Sequence, residues 1–313
     1  MIIKSVINVL LVFALAPLFP GTTVDVVPSQ MHVAAIRAES GVFPFAQARG
    51  PERIDVDALG VVTNAPSFVV RDVESGVTLL SRAPSEPRAI ASITKLMTAL
   101  VLLDDPTFNL ERRGTVLRTD VREGGRWYIR FGDDVTVGDL LSVMLVASGN
   151  NETLALVREL GLSEETFVER MNQKALALGM YDTTFVDPVG LEAGNVSTAY
   201  DVTQLLDAAL SHPFVAERLR MMSYAFISDK GNAYDVSATD QLLDSYINRA
   251  PYAVNGGKTG FTDDAGACLT IRIEYEGHLI DVTVLGASTV EGRFQDVKAL
   301  TDWTFRTFDF GGV

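Results

Sequence analysis

From Arg88 to Leu103 the chain reads RAIASITKLMTALVLL, a run in which Ser92 and Lys95 stand among almost nothing but small and apolar residues. The run is longer than an ordinary strand, apolar on nearly every face and free of a strong breaker after Pro87, which predicts a buried helix. Pro87 lies just ahead of it, where proline is tolerated. Upstream, SFVVRDVESGVTLLS predicts a hairpin of two strands, Phe68 to Val73 and Val77 to Ser81, turning at Glu74, Ser75 and Gly76. From Asp104 to about Tyr224 the pattern is mainly helical. Asp139 to Ala147 is mostly apolar, Phe167, Val168, Met171, Ala175 and Leu178 recur at helical spacing as plain core, and Thr198 with Asp201 predicts a capping box opening the helix of Leu205 and Leu206. In the last third Leu269, Ile271 and Ile273 alternate with Thr270, Arg272 and Glu274, a turn falls at Glu276 and Gly277, and Leu279 to Leu285 supplies the return strand. Phe294, Val297, Leu300, Trp303 and Phe308 mark a closing amphipathic helix. Strands at both ends with helices between them predict an α/β domain: one antiparallel sheet flanked by helices, with a helical subdomain beside it.

The first stretch, MIIKSVINVLLVFALAPLFPG, places Lys4 ahead of an apolar segment from Val6 to Phe19. That is a secretory signal pattern, with an uncleaved N-terminal membrane anchor as the alternative. Residues 1–22 are thus expected to be a signal peptide or anchor, 23–55 a polar linker, and 56–313 the catalytic domain, and the chain is expected to be exported to the cell envelope. A content of 47% hydrophobic residues supports a globular core, and a net charge of −14 with no basic cluster argues against nucleic acid as a partner. Cys268 is the only cysteine, so no intramolecular disulfide forms, and its apolar strand context reads as core.

Residues three apart on a helix share a side, so the Ser92 hydroxyl can meet the Lys95 amine, a nucleophile beside a possible base. A Ser-x-x-Lys match alone is weak, since about one is expected by chance in a chain of this length. Two further motifs strengthen it: Ser148-Gly149-Asn150 closing the apolar helix DLLSVMLVASGN, and Lys258-Thr259-Gly260 in VNGGKTGFTDDAGACL just before a strand. His32, His212 and His278 fall away from any nucleophile motif, which disfavours a Ser-His-Asp triad, and with the one cysteine they lack ligand spacing for zinc. Neither a metal nor a cofactor is expected.

With these motifs in this order the sequence resembles the penicillin-binding proteins, specifically the low-molecular-mass D-alanyl-D-alanine carboxypeptidases of serine peptidase family S11 and their endopeptidase relatives. The likeness runs from about Ser67 to Phe310 and includes ASITKLMTA, LGMYDTTFVDPVGLEAGNVSTAYDV, KTGFTDDAGACL and GRFQDVKALTDWTFRTF. The resemblance implies a β-lactamase/transpeptidase-like serine acyltransferase fold. It implies Ser92 as nucleophile and Lys95 as base, its pKa lowered by burial and by Lys258. Ser148 would relay a proton to the leaving amine, and Asn150 would hold the peptide amide and help keep Lys95 in place. Thr259 and Arg293 match positions that bind the substrate's terminal carboxylate, Lys258 adds positive potential, the N–H groups of Ser92 and Phe261 form the oxyanion hole, and Gly260 lets the strand approach the peptide.

The implied reaction is attack on the penultimate D-alanine carbonyl of a peptidoglycan stem peptide, with release of terminal D-alanine and acylation of the same serine by β-lactams. An endopeptidase cutting the D-alanyl cross-link is the nearest alternative, and a catalytically silent envelope protein that binds stem peptides is a reading of another class. No Glu-x-x-Leu-Asn follows Asn150, so slow release of penicillin is expected rather than β-lactamase activity. The larger carboxypeptidases carry a β-rich C-terminal domain and an amphipathic tail, and neither is expected here.

Overall fold

The computed structural model describes residues 49–122 and 126–311. The expected signal or anchor and most of the expected linker lie outside them. Among the described residues no helix is long and apolar enough to cross a membrane.

Within the stretch expected to be linker, β1 (Glu52–Arg53) already takes part in the fold. The first hairpin forms as β2 (Ser67–Asp72) and β3 (Thr78–Arg82), its turn fixed where Asp72 Oδ2 accepts the Ser75 N–H at 2.8 Å. The run expected to be one helix from Arg88 divides into three pieces. Arg88–Ala89 is a short strand, β4, Ala91–Ile93 is a 3-10 turn, and α1 spans Thr94–Asp104. The physical reason is non-local: β4 pairs antiparallel with Val196–Ser197, and Ala91 takes a left-handed φ of 46° that an α-helix does not allow. Ser92 therefore stands in the turn that leads into the helix, not within it.

The chain continues through β5 (Arg113–Thr115), β6 (Asp134–Thr136), α2 (Val137–Val146), α3 (Asn150–Glu159), α4 (Glu164–Ala177), β7 (Val196–Ser197), α5 (Ala199–Leu210) and α6 (Pro213–Arg218). The expected cap at α5 forms by half: Thr198 Oγ1 accepts the Asp201 N–H at 3.1 Å, while the Asp201 carboxylate turns to Asp182 and Thr183. A hairpin of β8 (Ser223–Ile227) and β9 (Ala233–Ser237) follows. Then come β10 (Tyr252–Thr262), β11 (Gly266–Tyr275), β12 (His278–Ala287), the closing helix α7 (Val290–Thr307) and β13 (Phe308–Asp309), which pairs with β1. Phe308, expected in the helix, thus leaves it for that pairing.

The main sheet runs β10-β11-β12-β2-β3, antiparallel throughout. Ile271, Val282, Val284 and Phe68 pack against Phe294, Val297 and Leu300 of α7 on one face. On the other, Val69, Cys268 and Leu285 join the core of the helical subdomain. Both faces are covered, so the polar positions of the alternating strands are buried as well. Thr270 and Thr283 are fully buried and satisfy each other at 2.8 Å, with Thr203 of α5 at 3.0 Å from Thr283.

Candidate active site

The turn Ala91–Ile93 presents Ser92 to a cleft of about 430 Å³ between the helical subdomain and the sheet edge, lined by Tyr128, Ser148, Asn150, Thr259 and Arg293 among others. One turn of backbone later Lys95 reaches back, and its Nζ donates to Ser92 Oγ at 2.8 Å and to the Val189 carbonyl at 2.8 Å. Lys95 is fully buried. Burial lowers its pKa to about 7, opposed by the nearby carboxylates of Asp187 and Glu152. An amine at that value is part neutral at physiological pH and can accept a proton from the hydroxyl it touches.

Opposite, α2 ends at Val146 and α3 starts at Asn150, so the Ser148-Gly149 pair forms the corner between two helices rather than the tail of one. Ser148 sits at φ 61°, a strained value for a residue with a side chain, and points its hydroxyl at Lys258, whose Nζ donates to it at 2.9 Å. Lys258 also donates to the Thr259 carbonyl at 3.1 Å. Its pKa lies well below the ordinary lysine value because of burial first, then the charges of Lys95 and Arg293. Burial is the main cause of the low pKa of Lys95, and the repulsion between Lys95 and Lys258 is mutual, so each ammonium disfavours the other. Asn150 lines the cleft, but among the described residues no hydrogen bond joins it to Lys95, which the Val189 carbonyl holds instead.

Lys258, Thr259 and Gly260 precede the strand of Leu269 to Glu274, which is β11, and themselves lie inside β10, paired with Thr270, Leu269 and Cys268. In the sheet Gly260 is needed for close approach. A Cβ there would stand 2.6 Å from the Ile90 carbonyl and 3.1 Å from the Ser92 nitrogen. β10 is the edge strand of the sheet, so its outer backbone groups face the cleft. Thr259 Oγ1 meets Thr239 Oγ1 at 2.6 Å. Arg293, from the first turn of α7, is 5% exposed and donates Nη1 to the Gly260 carbonyl at 2.8 Å. Half-exposed Phe261 forms part of the rim. Cys268 is buried, its thiol pKa pushed up to about 11 by burial, which leaves it inert in the core.

The structure thus brings Ser92, Lys95, Ser148, Asn150, Lys258, Thr259, Gly260, Phe261 and Arg293 to one cleft and its walls. The loop ahead of β7 went without a role in the sequence. Asp187 accepts the N–H groups of Val189 and Gly190 at 2.6 Å each and that of Glu192 at 2.9 Å, and Asn195 Nδ2 donates to Thr94 Oγ1 at 3.0 Å. This loop fixes the carbonyl that holds Lys95. The Asp-Pro-Val-Gly turn in it was a visible signal of a fixed backbone.

A family profile described as D-alanyl-D-alanine carboxypeptidase (Peptidase_S11) matches residues 56–289. The chain is 32% identical over 245 residues to a D-alanyl-D-alanine endopeptidase of Pseudomonas aeruginosa, covering 76% of each chain. It is 30% identical over 247 residues to the D-alanyl-D-alanine carboxypeptidase DacB2 of Mycobacterium tuberculosis, covering 77% of this chain and 82% of the relative. Among solved structures it is similar to a cysteine-to-alanine mutant of the Streptomyces K15 DD-transpeptidase, with a TM-score of 0.73 and 25% identity over 79% of this chain and all of that one. Matching motifs, cleft and sequence converge: the chain belongs to the D-alanyl-D-alanine carboxypeptidase family, the S11 serine peptidases that act on peptidoglycan.

Proposed function

We propose that this protein is a serine-type D-alanyl-D-alanine carboxypeptidase that trims the terminal D-alanine from peptidoglycan stem peptides. The observation that carries the reading is the 2.8 Å contact between Ser92 Oγ and the fully buried Lys95 amine. Neutral Lys95 takes the Ser92 proton along that contact as Oγ attacks the penultimate D-alanine carbonyl. The N–H groups of Ser92 and Phe261 receive the oxyanion, and Ser148, backed by Lys258, hands a proton to the departing amine. Thr259 and Arg293 hold the terminal carboxylate while Asn150 orients the peptide amide, and the extended stem lies along the open edge of β10. Water then cleaves the ester on Ser92. The same serine is the target of β-lactams, and with no activating Glu-x-x-Leu-Asn the penicilloyl ester leaves slowly. The substrate lies outside the cytoplasmic membrane, which agrees with the apolar N-terminal segment as an export signal or anchor.

Cleavage of the D-alanyl cross-link between two stems is the second reading. It uses the same acyl-enzyme, and it is favoured by the endopeptidase names of the relatives from P. aeruginosa and Escherichia coli, 32% and 29% identical. Incubation with a stem pentapeptide and, separately, with a cross-linked stem dimer distinguishes the two. Release of D-alanine from the monomer, absent in Ser92→Ala, is the expected result. Cleavage of the dimer alone would replace the carboxypeptidase with the endopeptidase, and no cleavage of either would overturn both.

A further inference from the structure

One hydroxyl that lines the cleft has no part in the chemistry above. Thr239 follows β9 by two residues and is half-buried. The backbone is pinned on both sides of it and at the residue itself. The Ala238 N–H donates to the Met222 carbonyl at 2.8 Å, and the Thr239 N–H donates to the carbonyl of Val146, the last residue of α2, at 3.2 Å. Asp240 Oδ1 accepts the Leu242 N–H of the next turn at 2.9 Å. From this fixed place Thr239 Oγ1 reaches Thr259 Oγ1 of β10 at 2.6 Å. Thr259 is 4% exposed, and among the described residues neither hydroxyl makes another hydrogen bond. Thr239 therefore joins the end of α2, on one wall of the cleft, to the strand that forms the other.

We propose that Thr239 is a positioning residue for recognition of a substrate's terminal carboxylate: it donates its proton to Thr259 Oγ1 and leaves Thr259 to donate to the carboxylate. This deepens the reading of Thr259 given above and rests on it. A threonine hydroxyl carries one proton and two acceptor lone pairs. Once Thr259 turns its proton to an anion, only the Thr239 proton can fill the 2.6 Å contact, since two oxygens facing each other by lone pairs would repel. The chain from Thr239 to Thr259 to carboxylate runs in one direction, and each bond in it polarises the next. A neutral terminus gains less, because hydrogen bonds to an ionised acceptor are about twice as strong as neutral ones. Thr239 thus sets a preference for substrates that end in a free carboxylate.

The test is steady-state cleavage by the whole protein of a stem pentapeptide ending in D-alanine and of the same peptide as its C-terminal amide. Thr239→Val keeps the shape and removes the hydroxyl. It should raise KM for the free acid by about 3- to 10-fold, the size of one neutral hydrogen bond, with kcat close to wild type and kcat/KM for the amide much less changed. Thr239→Ser should restore the wild-type preference. A Thr239→Val enzyme with wild-type KM and wild-type preference for the acid would overturn the inference alone, and so would an equal loss on acid and amide. A wild type that cleaves acid and amide equally well, or neither, would remove the reading beneath it. Should Thr239→Val not fold, Thr239→Ala makes the same comparison, and failure of both to fold would make the hydroxyl structural and overturn the inference.

Discussion

Lys95 acts as a base only when neutral, and the burial that achieves this carries a cost in stability. Between about pH 7 and the ordinary lysine value of 10.5 the unfolded chain holds the Lys95 proton and the folded chain does not, so folding gains as pH rises through that window. Below it the folded state contains a buried ammonium. Glu152 has the opposite sign: its folded carboxyl keeps a proton up to about 7 that the unfolded chain gives up near 4.5, so its contribution falls as pH rises between those values. At pH 6 Glu152 is largely protonated and Lys95 largely charged, so the lysine is the expensive member. Lys95→Met should then raise stability by about 1–3 kcal/mol in denaturant unfolding at pH 6 while abolishing acylation. A destabilised variant would show the lysine to be structural. At this scale the Ser92 and Lys95 pair was legible, because two polar residues three apart in an apolar run require a reason. Glu152 was not, since a glutamate early in a helix is ordinary in sequence and its burial depends on the loop packed over it.

At the scale of elements, the site depends on how closely β10 approaches the turn that carries Ser92. Gly260→Ala places a methyl against the Ile90 carbonyl, the Ala91 side chain and the Ser92 nitrogen, which displaces the turn from the strand. A shift of about 1 Å at a reacting centre costs on the order of 10²-fold in rate. Acylation should fall by about that factor, with the circular dichroism spectrum and unfolding midpoint close to wild type; full activity would mean that the strand and turn are not held in register. Elements with their own periodicity, such as the β2-β3 hairpin, were legible to within a residue. What escaped was set by distant partners. Arg88–Ala89 became a strand because Val196–Ser197 pairs with it, a partner that no local window shows.

For the molecule as a whole, the sheet closes the chain on itself: β12, near the C-terminal end, pairs with β2, near the start of the described residues, and α7 lies across the same face. That arrangement lets a helical subdomain inserted between the two halves of the sheet supply one wall of the cleft and the sheet edge the other. The class of fold was legible from strands at both ends of the chain. The strand order, and the burial of Thr270 and Thr283 that it imposes, was not, because polar alternation marks a side-chain period and says nothing of what covers the second face. The central claim is that these two walls meet to activate Ser92. Intact-mass spectrometry after incubation with benzylpenicillin, followed by peptide mapping, tests it most directly. A persistent single adduct of the penicilloyl mass, located on Ser92 and missing from Ser92→Ala, is the predicted result. An unmodified wild type, or an adduct that survives in Ser92→Ala, would contradict the account.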